Sequence, residues 1–320
     1  MTQAASSSTL GAIFSLHRDQ LEQLAQSSRS LRTSRRSLTT RTQQKKSPTL
    51  RTAEQRMPTL AGKYLVRESI GKGAFGHVYR ALDRSSGREV ALKLVQSRHA
   101  FSPNVAARFL REARALQTLD HPGVVRIFEL IQEKHAMGLA MEFVPGRSLD
   151  VSVTEDGPLT QKAAAQVGRD IAAALREVHG AGFVHRDVKA ENIIRRPDGQ
   201  AVLLDFGITR PVGDFTKLTA EGMLVGTPLS MAPEQLEFLP VDGRTDVYAT
   251  GCLLYYLLTA RHPIEEHTME ELRRRVLQGD YAALRVRRPD VSGALEDVVE
   301  KAMRQPQNGA TRPHRSWKRR

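Results

Sequence analysis

The chain has 320 residues, 40% hydrophobic content and a formal net charge of +13. That length admits two domains or one two-lobed fold with tails, and the apolar fraction is enough for a substantial core. The charge sits at the ends: residues 1–60 hold ten Lys+Arg against three Asp+Glu, residues 304–320 hold six basic and no acidic residues, and the body between them is neutral. The longest nearly apolar run, Tyr248–Leu258, has 11 residues, against the roughly 20 that a spanning helix needs. The first residues lack the charged-then-apolar order of a secretory signal. The single cysteine, Cys252, lies in that apolar run. It reads as a small core residue, excludes an intramolecular disulfide and suits a reducing compartment. A soluble cytoplasmic protein is the expectation.

Taken in order, residues 1–62 form a basic tail rich in Ser, Thr and Arg. Between Ser27 and Thr52 there is too little apolar area to offset chain entropy, so disorder is expected there. One island differs. Leu10, Ile13, Phe14, His17, Leu21 and Leu24 recur at helical spacing. Arg29–Arg41 interleaves Arg with Ser and Thr, a composition that fits a phosphorylated segment.

The body begins near Lys63. Tyr64–Ile70, Gly76–Leu82 and Glu89–Val95 are short, β-branched-rich runs separated by turn residues, and they predict three antiparallel strands. Between the first two lies Gly71-Lys72-Gly73-Ala74-Phe75-Gly76, followed by His77 and Val78. Glycines at this spacing allow backbone N–H groups to approach phosphate oxygens, although the pattern alone also fits a hairpin turn. Val90-Ala91-Leu92-Lys93 places a lysine on the third strand. Asn104–Leu119 then predicts a helix with Phe109, Ala113, Leu116 and Leu119 on one stripe, interrupted by Glu112. A carboxylate on a buried stripe requires a cation. His121-Pro122-Gly123 turns into two further strands, Val124–Gln132 and Ala136–Phe143. Pro145-Gly146 marks the passage to a helical region, where Gln161–His179 predicts a long amphipathic helix ended by Gly180.

His185-Arg186-Asp187-Val188-Lys189-Ala190-Glu191-Asn192 follows, and then Asp205-Phe206-Gly207. An acid, a cation and an amide at fixed offsets on one loop, with a second acid on the next, suit metal-bound phosphates held beside a hydroxyl. Thr245–Leu258, Met269–Gln278 and Ala294–Arg304 predict further helices. The two loop motifs fit H-R-D-x-x-x-x-N and D-F-G, and with the glycine-rich turn and V-A-L-K the chain resembles the eukaryotic-type serine/threonine protein kinase family, most closely its bacterial members.

The resemblance implies roles for named positions. Asp187 would accept or orient the substrate hydroxyl proton, Lys189 would stabilise the transferring phosphoryl group, and Asn192 and Asp205 would hold Mg²⁺. Lys93, paired with Glu112, would hold the α and β phosphates of ATP. Gly71 through Val78 would cover the phosphates. Ile70, Val78, Ala91 and Ile194 would sandwich adenine, with Met141 as gatekeeper and Glu142 through Val144 as the hinge. Leu116, Ile127, His185 and Phe206 would form an internal spine. Thr227, in the run closing Gly226–Glu234, would help select Ser or Thr acceptors. Ser230 stands where relatives carry an aromatic residue. Arg186 would pair with a phosphate in the segment after Asp205, for which Thr216 and Thr219 are the candidates. Asp246 would support the loop backbone. Arg312 is a partner for Glu234 at a shifted register, and the last helix of the family is missing or replaced.

The reading is therefore an α+β, two-lobed protein kinase fold. Residues 63–143 form a small antiparallel β lobe with one helix, residues 144–313 a larger helical lobe, and residues 314–320 a second basic tail. Its partners would be Mg·ATP, proteins with Ser/Thr acceptors (itself included) and an acidic partner for the basic ends. A scaffold without chemistry is the first alternative, and the presence of Lys93, Glu112, Asp187, Asn192 and Asp205 argues against it. A nucleic-acid or membrane tether is the second. Only Phe14 and Trp317 are aromatic in the tails, which argues against base stacking.

Overall fold

The computed structural model describes residues 59–72, 76–95, 103–133, 137–205 and 228–304. The expected tail helix, the Ser/Thr/Arg-rich stretch and the altered C-terminal end lie outside the described residues. The chain divides into two compact units. Among the described residues the first comprises 59–120 and 125–144, and the second comprises 121–124, 145–205 and 228–304.

The first unit is a six-stranded antiparallel sheet in the order β1-β2-β3-β4-β6-β5. The strands are β1 (Thr59–Leu60), β2 (Tyr64–Lys72), β3 (Gly76–Asp83), β4 (Arg88–Val95), β5 (Ile127–Gln132) and β6 (Met137–Glu142). Side chains alternate across a strand. Val90 and Leu92 of β4 therefore join Tyr64, Val66, Tyr79, Ala81, Ile131 and Ala140 in one buried cluster. Their neighbours Ala91 and Lys93 fall on the opposite face. Helix α1 (Pro103–Leu116) buries Phe109, Ala113 and Leu116, the stripe read from the sequence. Two register shifts in β2, at Val66/Glu68 and Ser69/Gly71, bend that strand as bulges do. At the sheet margin the Glu129 carboxylate receives the Tyr64 hydroxyl at 2.6 Å and the Lys63 ammonium at 2.5 Å.

Several boundaries differ from expectation, among them the end of α1, which stops at Leu116 and not Leu119. The sheet starts at Thr59, four residues before Lys63, because half-buried Leu60 packs on the core cluster and Ala61-Gly62 turns with positive φ into β2. The strand expected from Val124 starts at Ile127. Val124 N–H instead donates to His121 in the turn, and Val124 bridges Leu203 within the second unit.

The second unit is mainly helical, with a three-stranded sheet β7 (Arg147–Ser148), β8 (Ile193–Arg195) and β9 (Ala201–Leu203) in the order β7-β8-β9. Helix α2 (Leu149–Asp156) is capped by the Ser148 hydroxyl. Helix α3 (Gln161–Gly180) is capped by Thr160 and buries Ala164, Val167, Ile171, Ala174, Leu175 and Val178. Gly180 is its last residue, not its stop. The left-handed residue is Gly182, at φ 83, whose N–H bonds back to His179 while Phe183 bonds to Val178. A four-residue helix, α4 (Pro233–Leu236), precedes α5 (Gly243–Thr259). Helix α5 is buried along most of its length, as its apolar run predicts, and Cys252 is inside it. Helices α6 (Met269–Gln278), α7 (Leu284–Arg287) and α8 (Gly293–Met303) complete the unit. Helix α8 packs so closely on α5 that a Cβ on Gly251 would come within 2.7 Å of Met303. Among the described residues no helix is long and apolar enough to cross a membrane.

Candidate active site

In the sheet unit Lys93 lies on β4 with Val78 of β3 opposite on one side and Leu139 of β6 on the other. Two glycines make that packing possible. A Cβ on Gly76 would lie 2.0 Å from the Leu94 carbonyl oxygen, and one on Gly138 would lie 2.3 Å from that of Lys93. The third glycine of the turn motif thus has a steric reason of its own. Gly71 has only ordinary contact with Val78, so space alone does not require glycine there. Lys72 is exposed at the end of β2, and His77 and Val78 are half-buried on β3. Ala91 and Met141 are register partners, each 6% exposed. Val144 is buried, whereas Ile70 is 44% exposed. Glu142 N–H donates to the Arg126 carbonyl at 2.8 Å, so this hinge amide already has a partner. Glu112 is half-buried on α1.

In the helical unit the loop after α3 is organised by one carboxylate. Asp246, fully buried near the start of α5, accepts from His185 N–H and Arg186 N–H at 2.8 Å each. It accepts also from His179 Nε2, at the end of α3, at 2.8 Å. The loop backbone is therefore fixed on both sides of His185, and Arg186 takes the left-handed region, φ 68. His185, buried, bonds through Nε2 to the Leu204 carbonyl at 2.7 Å, and its Nδ1 receives Asp187 N–H at 3.3 Å. A carbonyl can only accept, so the proton is on Nε2 and Nδ1 is the acceptor.

These bonds present Asp187. Its Oδ2 accepts from Asn192 Nδ2 at 2.8 Å and lies 3.7 Å from Lys189 Nζ. The same Asn192 amide nitrogen reaches the Asp187 carbonyl at 2.8 Å. Asn192 closes a 3₁₀ turn, Ala190–Asn192, and its carbonyl receives Leu204 N–H at 2.8 Å. Asp205 follows directly at φ 43, a region in which Asp is among the better-tolerated side chains. Asp187, Lys189 and Asn192 are thus gathered by direct contacts. Ile194 is half-buried on β8. Further along, buried Glu234 accepts the Thr245 hydroxyl at 2.6 Å. Ser230 is half-buried in a 3₁₀ turn, Pro228–Ser230.

Gly73, Ala74, Phe75, Phe206, Gly207, Thr216, Thr219, Thr227 and Arg312 lie outside the described residues. Two residues that support the loop went unread in the sequence: His179, which bonds the Asp246 carboxylate, and Gln235, which bonds the Arg186 carbonyl. His179 carries no signal, being 67 residues from its partner. Gln235 could have been found from its place three residues after Ala232, where a Gln side chain reaches back to the helix start.

Comparison with known proteins gives the family. The family model described as "Protein kinase domain" matches residues 64–309. The serine/threonine-protein kinase pkn3 of Myxococcus xanthus is 36% identical over 265 residues, which is 80% of this chain and 48% of that protein. The serine/threonine-protein kinase PkaA of Streptomyces coelicolor is 36% identical over 263 residues, 78% of this chain and 47% of that one. The chain spans about half the length of these two relatives. Among solved structures, Rad53 1-466 in complex with AMP-PNP aligns with a TM-score of 0.65 and 26% identity, covering 76% of this chain and 61% of that one. The fold is accordingly α+β and two-lobed, and the chain belongs to the protein kinase family.

Proposed function

We propose that this chain is a serine/threonine protein kinase that transfers the γ-phosphoryl group of Mg·ATP to protein hydroxyls, its own included. The observation that carries this reading is the grouping of Asp187, Lys189 and Asn192 on a loop whose backbone is fixed by Asp246. Catalysis of phosphoryl transfer rests mainly on positioning and charge neutralisation. Asp187 receives or orients the acceptor hydroxyl proton, and Lys189 offsets charge on the group in flight. Asn192 and Asp205 would hold Mg²⁺, which neutralises phosphate charge when bound. Both offer hard oxygen donors, and because the Asn192 amide nitrogen is bonded to Asp187, its oxygen would be the atom left for a cation.

In the sheet unit Lys93, with Glu112, would hold the α and β phosphates, and the residues from Gly71 to Val78 would cover them. Ala91, Met141 and Val144 supply apolar surface for adenine. The buried pairing of Ala91 with Met141 supports that assignment. Thr227 helps select Ser or Thr acceptors, and Arg186 pairs with a phosphate carried on Thr216 or Thr219. The chain acts in the cytoplasm, and its basic ends suit an acidic partner.

Intact-mass measurement of wild type and Asp187→Ala after incubation with Mg·ATP tests the reading. Steps of one phosphate in wild type alone are expected, mapping to residues 27–52, Thr216 or Thr219. No phosphate on wild type or on an added protein substrate would overturn it.

A further inference from the structure

Gln235 belongs to none of the motifs above, yet it is 8% exposed and makes two bonds from one amide. Its Oε1 accepts from Ala232 N–H at 3.0 Å, and its Nε2 donates to the Arg186 carbonyl at 3.1 Å. We propose that Gln235 is a positioning residue for Asp187. It holds the carbonyl of the residue before Asp187 and ties that peptide to the start of α4.

The geometry singles out this peptide. Arg186 adopts φ 68, which an L residue enters at a cost and leaves readily unless held. Its N–H is held by Asp246 at 2.8 Å, and its carbonyl is held by Gln235. A return to the right-handed region would break both bonds and swing Asp187 away from Asn192 and Lys189. The chemistry also singles out the side chain. Ala232 N–H requires an acceptor and the Arg186 carbonyl requires a donor, so one head group must supply both. A carboxylate only accepts, an ammonium only donates, and Asn is one methylene shorter. The bond to Ala232 is buried and the bond to Arg186 partly so, and shielding from water makes such bonds stronger and costlier to lose.

The activity arm of the test rests on the kinase reading; the exchange arm does not. In the full chain, Gln235→Met keeps the volume and loses both bonds. Gln235→Glu keeps the Ala232 cap, which guards against misfolding, and sets an acceptor against the Arg186 carbonyl. Deuterium exchange of the peptide spanning residues 184–190 should quicken about tenfold in both variants, with peptides from α5 unchanged. kcat should fall about tenfold, the scale of a slight misplacement, with the KM for ATP within about twofold. Wild-type exchange at 184–190, or an equal rise throughout α5, would overturn the proposal. So would a loss of activity carried by the KM for ATP alone. A wild type that transfers no phosphate would defeat the kinase reading, and the exchange result would then decide Gln235 by itself.

Discussion

Lys93 lies in the middle of a sheet, flanked by β3 and β6, and its backbone is part of a ladder that runs the length of β4. Asp187 lies on a loop, and the peptides before it are caught by side chains 49 to 61 residues away, Gln235 and Asp246. The ladder is redundant: no side chain is responsible for it, and only an added atom can force it apart. The loop depends on a few polar atoms, each with its own task. Substitutions that remove atoms should therefore injure the loop, and substitutions that add atoms should injure the sheet.

The largest effect is expected at Asp246. Asp246→Ala strands His185 N–H, Arg186 N–H and His179 Nε2 in a buried site, at a cost of at least about 3 kcal/mol. Urea unfolding followed by circular dichroism measures this, and a loss below 1 kcal/mol would end the claim that the loop rests on one carboxylate. Gly138→Ala comes next. Its Cβ would meet the Lys93 carbonyl at 2.3 Å, so β4 and β6 must separate, at about 2 kcal/mol. A calorimetric melting point equal to wild type would show that the ladder yields more easily than argued.

Glu129→Gln should have the smallest effect. Bonds from Lys63 and Tyr64 hold the Glu129 carboxyl below its usual range. A group with a depressed folded value contributes above its unfolded value, near 4.3, and loses the contribution as pH falls through the folded one. The partly exposed pair is screened, so the difference from wild type should be under about 1 kcal/mol at neutral pH. It should vanish in strong acid, and a difference that grows on acidification would reverse the sign of the argument.

Much of this was legible in the sequence, for reasons the comparison makes plain. The strands from Tyr64 to Val95 are β-branched-rich runs bounded by turn residues, and α1, α3 and α5 carry stripes or apolar runs long enough to show. The three strands of the second sheet have two or three residues each, too few for any period. Helix α2 buries only Leu149 and Val153 and is fixed by its caps instead. At the site, Asp187, Lys189 and Asn192 lie within one six-residue run and could be read together. Asp246 was reached by resemblance. His179 was not, because a bond between residues 67 positions apart leaves no periodic mark; the place of Gln235 three residues after Ala232 marks a helix start but not its partner 49 positions away.

Cys252 stands six residues beyond Asp246 on α5. Its thiol is enclosed, and burial pushes it up to about 12. Alkylating reagents attack the thiolate, so this sulfur is silent for as long as the helix stays packed and reports each time it opens. The molecule thus carries a built-in clock for the helix that anchors its loop. The labelling rate, set against that of a free thiol, reads the opening free energy directly, with no probe added to the chain.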